Sequence, residues 1–223
     1  MSIVGVIPAA GYAERLQPLD CSKEVLEVAG NPLIAYLAGR MRTGGATELR
    51  VVTRPEKRDV IGIAEGLEAS VIRAHPANIN ESFAAGMAGL AADDIVLLGF
   101  PDSLWEPPDG YRALVDAVQG GQEIALGLFD VPGVAGSDYL VLDEAGRIVG
   151  IDIKPARPRS TLIWGCAAAR VGALEGLELV EWPSEFMVAR RAQGAEIFGV
   201  LLSDSYVDIG TKESLRQAMA SSS

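Results

Sequence analysis

Four short apolar runs, at residues 3–7, 49–53, 70–73 and 95–98, are each followed by a segment whose apolar residues recur at helical spacing, at 32–42, 58–66, 81–91 and 111–118. Near-continuous apolar strands alternating with amphipathic helices predict a parallel sheet covered on both faces. The rhythm then tightens. Strands are expected at 123–129, 139–142, 147–153 and 161–168, with Asp143, Glu144, Ala145 and Gly146 forming a hairpin turn between two of them. A helix over 181–192, a strand over 196–201 and a helix over 212–219 complete the pattern, and the tail Ser221-Ser222-Ser223 is expected to fray. No Pro/Ser-rich linker or internal repeat interrupts the chain. The expectation is α/β, three layers in the order αβα around a predominantly parallel mixed sheet, with residues 1–223 forming a single domain.

Composition narrows the chemistry. With 49 % hydrophobic residues a sizeable core is available, and 25 glycines suit many strand-to-helix turns. The net charge of −11, with no basic cluster, argues against a nucleic-acid partner and means that phosphate ligands need a few local cations and a metal ion. No apolar run reaches the ~18 residues of a membrane helix, and no basic region precedes Ile3, so neither a membrane span nor a signal peptide is expected. Cys21 and Cys166 lack metal-ligand spacing and fit two free thiols in a reducing compartment, here read as the cytoplasm. His75 is the only histidine and precedes Pro76, which reads as a loop edge; the count excludes histidine-rich metal sites.

The densest signal lies at the amino end. The apolar strand ending at Ile7 runs into Pro8-Ala9-Ala10-Gly11, then Arg15, Pro18 and a Ser22-Lys23 pair, followed by a helix start at Gly30-Asn31-Pro32. A small-residue turn lets backbone N–H groups approach a polyphosphate while two cations neutralise it. The spacing of Gly5 and Gly11, and the lack of an acidic residue near Val52, exclude a dinucleotide-binding Gly-x-Gly-x-x-Gly fingerprint. Two further runs stand out. Pro101-Asp102 follows a buried strand, and Tyr206-Val207-Asp208-Ile209-Gly210-Thr211 opens the last helix. Two carboxylates from distant strand ends would suit magnesium, which takes one or two carboxylates plus phosphate oxygens. Each aspartate reads equally as a turn or cap residue.

Together these motifs resemble the nucleotidylyltransferases that activate sugar 1-phosphates. That resemblance implies a Rossmann-like nucleotidyltransferase fold, Mg²⁺ on Asp102 and Asp208, and attack of an acceptor phosphate on the α-phosphorus of a nucleoside triphosphate with loss of pyrophosphate. It implies Arg15, Lys23, Asp102, Lys154 and Asp208 as catalytic residues. For the nucleotide it implies the backbone of Pro8, Ala9, Ala10 and Gly11. The helix opening at Asn80, Glu81 and Ser82, with Gly86, corresponds to the family's base-reading loop, or is a plain helix start capped by Asn80. On the acceptor side Lys154 matches the family's Glu-Lys-Pro lysine, with Asp152, Trp164 and Gly165 as further candidates.

Three positions depart from the family pattern. Ala13 replaces its second glycine, Ile153 its glutamate, and Tyr139 a sugar-reading glycine. The last two weaken glucose as the acceptor and leave open a cytidylyltransferase for an amino-alcohol phosphate or phosphonate, while Ala13 and Ile153 leave open a catalytically weak nucleotide-binding subunit. A homo-oligomer is compatible with the sequence.

Overall fold

Adjacent strand positions divide between two cores. Val6, Val52, Val96 and Leu98 belong to one cluster, and their neighbours Ile7, Val51 and Leu97 belong to the other. Successive strand side chains point to opposite faces, so apolar runs of this kind demand cover on both. The computed structural model, which describes residues 1–134 and 136–220, shows that cover. Helices α1 (Leu33–Thr43), α2 (Arg58–Gly66) and α4 (Tyr111–Gln119) bury Leu37, Val60 and Leu114 on one face. Helices α3 (Ile79–Met87) and α5 (Pro183–Ala192) bury Phe83 and Phe186 on the other. Each fully buried aliphatic or Phe side chain contributes about 1.5–3 kcal/mol over exposure.

The sheet has nine strands. Strand β1 (Ile3–Pro8) lies between β4 (Glu48–Thr53) and β6 (Ile95–Gly99), parallel to both, and β5 (Ser70–Arg73) extends the parallel set beyond β4. The long β11 (Leu162–Arg170) runs antiparallel between β6 and β8 (Ile124–Asp130), and β12 (Ile197–Ser203) pairs parallel to β8 at the edge. The hairpin β9 (Tyr139–Leu142) and β10 (Ile148–Asp152) continues from the start of β11. From these pairings only β10 and β11 oppose the other strands, so the predominantly parallel mixed sheet is as expected.

The differences are local. The third helix starts at Ile79 instead of 81, because Asn78 is the cap: its Oδ1 accepts the Glu81 N–H at 2.9 Å. It ends at Met87 instead of 91, where Ala88 leaves helical geometry and Gly89 turns to φ +79°. Expected strand 147–153 is trimmed to Ile148–Asp152, and Lys154 beyond it has φ +42°. Four strands of two or three residues were too short for alternation to reveal: β2 (Glu27–Val28) with β3 (Asn31–Pro32), and β7 (Ser103–Trp105) with β13 (Tyr206–Asp208). The last helix, α6 (Lys212–Ala220), follows β13, and the Ser221 tail lies outside the described residues.

The smallest core positions the site. Ile209 and Ala218, with Leu215, pack on Val28, Leu33 and Tyr36. This docks the far end of the chain against the segment that follows the first loop.

Candidate active site

The loop after β1 stays in the ladder for one more residue, with Ala9 N–H donating to Val52 O at 2.8 Å. It then turns through Ala13, at φ +51°, into a short 3₁₀ turn, Glu14–Leu16, that carries Arg15. A second 3₁₀ turn, Lys23–Val25, carries Lys23, whose ammonium pairs with the Asp102 carboxylate. Asp102 follows β6 and precedes β7, and the β7–β13 ladder sets Asp208 opposite Ser103. Ile209 N–H donates to the Asp102 carbonyl at 2.8 Å. The two aspartates are therefore side by side. A Cβ on Gly210 would lie 3.1 Å from both Arg15 Nη2 and Asp208 Oδ2, so arginine and aspartate closely flank that glycine.

The charges act on one another. Burial raises the Asp208 pKa, and the neighbouring Asp102 charge raises it further, against the lowering effect of Lys23 and Arg15. Burial works against the Lys23 ammonium, but Asp102 outweighs it, with help from Glu24 and Asp208, and holds the lysine above its ordinary value. Among the described residues no group of three or more His, Cys, Asp or Glu side chains is gathered. Two mutually repelling carboxylates fit a divalent cation whose remaining positions go to phosphate oxygens and water.

Two cavities meet at this cluster. One, of about 440 Å³, is lined by Pro8, Ala10, Gly11, Lys23, Asn78 and Ser82. The other, of about 310 Å³, is lined by Arg15, Asp102, Asp208, Lys154, Trp164 and Trp182. Ile79 and Trp182 border both. In the second cavity the Lys154 ammonium lies 3.9 Å from the centre of the Trp182 ring, a cation–π contact, and the Lys154 backbone N–H donates to Asp138 Oδ1 at 3.0 Å. Trp164 stands edge-on to Phe100 at 5.2 Å as a wall.

Several candidates fall outside the cavities. Ala9 is fully buried behind the loop. Asn80 is buried and ties α3 to the Val180 carbonyl at 2.8 Å, so it neither caps the helix nor faces a ligand. Glu81 accepts the Ala77 N–H at 2.7 Å, a structural use at the helix start. Gly86 serves packing: a Cβ there would lie 2.2 Å from Val6 Cγ1. Gly165 sits at a bulge in β11 and makes room for the Tyr206 ring, which a Cβ would meet at 2.4 Å. Asp152 is held by Arg159 through Nη2 at 2.5 Å and Nε at 2.9 Å and does not line the acceptor cavity. Sequence reasoning missed Trp182, which no motif marked, and Asn78, which the Asn-x-x-Glu spacing to Glu81 signals.

Residues 5–133 match the MobA-like NTP transferase domain. The chain belongs to that family. A glucose-1-phosphate thymidylyltransferase of Actinoplanes sp. is 31 % identical over 168 residues, covering 70 % of this chain and 54 % of the relative. A 2-C-methyl-D-erythritol 4-phosphate cytidylyltransferase of Laribacter hongkongensis is 26 % identical over 188 residues, covering 82 % of this chain and 71 % of the relative. The chain thus spans little more than half the length of the thymidylyltransferase. A UDP-glucose pyrophosphorylase solved with UDP-glucose superposes with a TM-score of 0.85 at 18 % identity, covering 99 % of this chain and 98 % of that one, which establishes the nucleotidyltransferase fold. No helix among the described residues is long and apolar enough to cross a membrane.

Proposed function

We propose that the chain acts as a single nucleotidyltransferase domain, joining the monophosphate of a nucleoside triphosphate to a small phosphorylated acceptor, foremost a sugar 1-phosphate, with release of pyrophosphate. The observation that carries this reading is the meeting of Asp102 and Asp208 between two cavities, one rimmed by a phosphate-type loop and the other by Lys154. An acceptor phosphate oxygen, already anionic, forms a bond to the α-phosphorus. The bond from that phosphorus to the bridging oxygen breaks, and its electron pair leaves with pyrophosphate. No proton needs to move, so alignment and charge neutralisation are the work of the protein.

The chain's groups divide that work. N–H groups of Ala10, Gly11 and Tyr12 cradle the triphosphate, Lys23 neutralises its α-phosphate, and Arg15 faces the departing phosphates. Lys154 holds the acceptor anion. Asp102 and Asp208 would hold Mg²⁺, which supplies positive charge to the reacting phosphates when bound. Lys23 then exchanges part of its bond to Asp102 for phosphate. The negative surface argues against nucleic acid as a partner, and the cytoplasm, rich in triphosphates and reducing toward Cys21 and Cys166, is the compartment this reading implies.

A second acceptor class is favoured by one observation. Asp152 is engaged by Arg159 and Ile153 replaces the family's glutamate, so the carboxylate left at that edge of the acceptor cavity is Asp138, one oxygen of which already accepts the Lys154 backbone N–H. A phosphorylated alcohol or a phosphonate meets the remaining groups equally well. A panel of five triphosphates against sugar 1-phosphates, polyol phosphates and amino-alcohol phosphates, scored by pyrophosphate release with Mg²⁺, tests both. Turnover with one acceptor class is expected; triphosphate binding without turnover across the panel would reduce the chain to a binding subunit.

A further inference from the structure

Lys57 lies beside the first loop at the start of α2, with its side chain nine-tenths buried, and its position invites reading it as another phosphate ligand. Its bonding excludes that. The ammonium donates to the carbonyls of Ala9 and Gly11, each at 2.9 Å, and to Glu24 Oε2 at 2.8 Å. An ammonium has three N–H donors, and all three are engaged. Neighbouring side chains share the task. Thr53 Oγ1 donates to the Ala9 carbonyl at 3.0 Å, and Arg54 Nε to the Ala10 carbonyl at 2.9 Å. Arg54 is itself fixed, through Nη2 on the Pro76 carbonyl at 3.0 Å and by stacking on Tyr12 at 4.6 Å. Asp59 holds Ser22, the residue before Lys23, accepting its N–H at 2.6 Å and its hydroxyl at 2.9 Å.

Across a planar trans peptide the C=O and the following N–H point in opposite directions. Three successive loop carbonyls, at residues 9, 10 and 11, are drawn toward residues 53–57. The N–H groups of Ala10, Gly11 and Tyr12 are thereby turned the other way, and all three residues line the 440 Å³ cavity. The loop itself cannot ensure this geometry. It lacks a second glycine and carries Ala13 at φ +51°, which an alanine adopts at a cost of about 1–2 kcal/mol.

We propose that residues 53–59 form a bracket that fixes the phosphate loop from outside, with Lys57 as a positioning residue whose engaged ammonium orients the loop N–H groups toward the phosphate chain of a nucleoside triphosphate. This rests on the reading that the loop binds a triphosphate. Lys57→Met alone would strand the buried Glu24, so the informative variant is Lys57→Met with Glu24→Gln, which removes both charges. Calorimetry with Mg²⁺ and the triphosphate that the unaltered protein binds most tightly should show Kd raised about 10²-fold in this double variant, the loss expected when one or two N–H bonds to a phosphate anion are misdirected. In steady state the triphosphate KM should rise likewise, while the acceptor KM and kcat at saturation stay within about twofold, a split that general loosening of the fold would not produce. A folded double variant that binds triphosphate with unaltered Kd overturns the proposal. If that variant melts below the assay temperature, Thr53→Val, which removes a hydrogen bond to the Ala9 carbonyl and keeps the side-chain volume, carries the same readout, with about a fivefold rise in Kd expected and an unchanged Kd again overturning it. Failure of the unaltered protein to bind any triphosphate overturns both this proposal and the reading beneath it.

Discussion

The two flanks of the aspartate pair are built differently. On the nucleotide flank the loop is backed by buried Ala9, Glu24 and Lys57, and its carbonyls are tied to three side chains. On the acceptor flank Lys154 lies just past the end of β10 at φ +42°, its backbone N–H held by Asp138 and its ammonium resting on Trp182, which is 42 % exposed. On the proposed function a triphosphate, whose phosphate chain is the same whatever its base, would meet a pre-set cradle, while acceptors that differ beyond their phosphate would meet a lysine resting on an exposed aromatic surface.

The largest effect should come from the groups both flanks share. Asp102→Asn or Asp208→Asn should lower kcat by about 10²–10³, as loss of one preorganised electrostatic contact does, in a protein that remains folded. The pH profile sharpens this. Asp208 is raised above the ordinary carboxylate value, so acidification should extinguish activity at a higher pH than an unperturbed aspartate would, and added Mg²⁺ should move that limb down. The stability sign runs the other way. Between the ordinary and the raised value the native state binds more protons than the unfolded one, so Asp208 makes stability fall as pH rises through that window. Asp208→Asn should flatten that fall in an apo protein titrated by thermal melts.

An intermediate effect should separate the flanks. Lys154→Ala should raise the acceptor KM by about tenfold, the value of one charge-assisted hydrogen bond, and leave the triphosphate KM alone; equal shifts in both would erase the distinction. The smallest effect concerns Asp152. Its exposed pair with Arg159 is of a kind worth about 0–1 kcal/mol, so Asp152→Asn should change acceptor KM by less than about twofold, and a larger change would return it to the site.

The layered sheet was legible because strands 3–7, 49–53 and 95–98 are apolar on both faces and the helices between them are amphipathic. Arg15, Lys23, Asp102, Lys154 and Asp208 were legible because short motifs at strand ends mark them, and they line the two cavities. What stayed hidden was decided by packing across long sequence distances. Nothing local distinguishes Gly86, which admits Val6, from a ligand-facing glycine, or Asn80, which anchors Val180, from a base reader. The bracket was unreadable for the same reason: its acceptors are backbone carbonyls, which leave no trace in residue identity.

The docking of Ile209 and Ala218 on Val28 and Leu33 has a consequence during synthesis. A ribosome delivers the first loop, Lys23 and Asp102 long before Asp208. On the proposed function a nascent chain lacks one of its two acids until residues 206–218 emerge and dock, so chains halted before that point should not convert nucleotide.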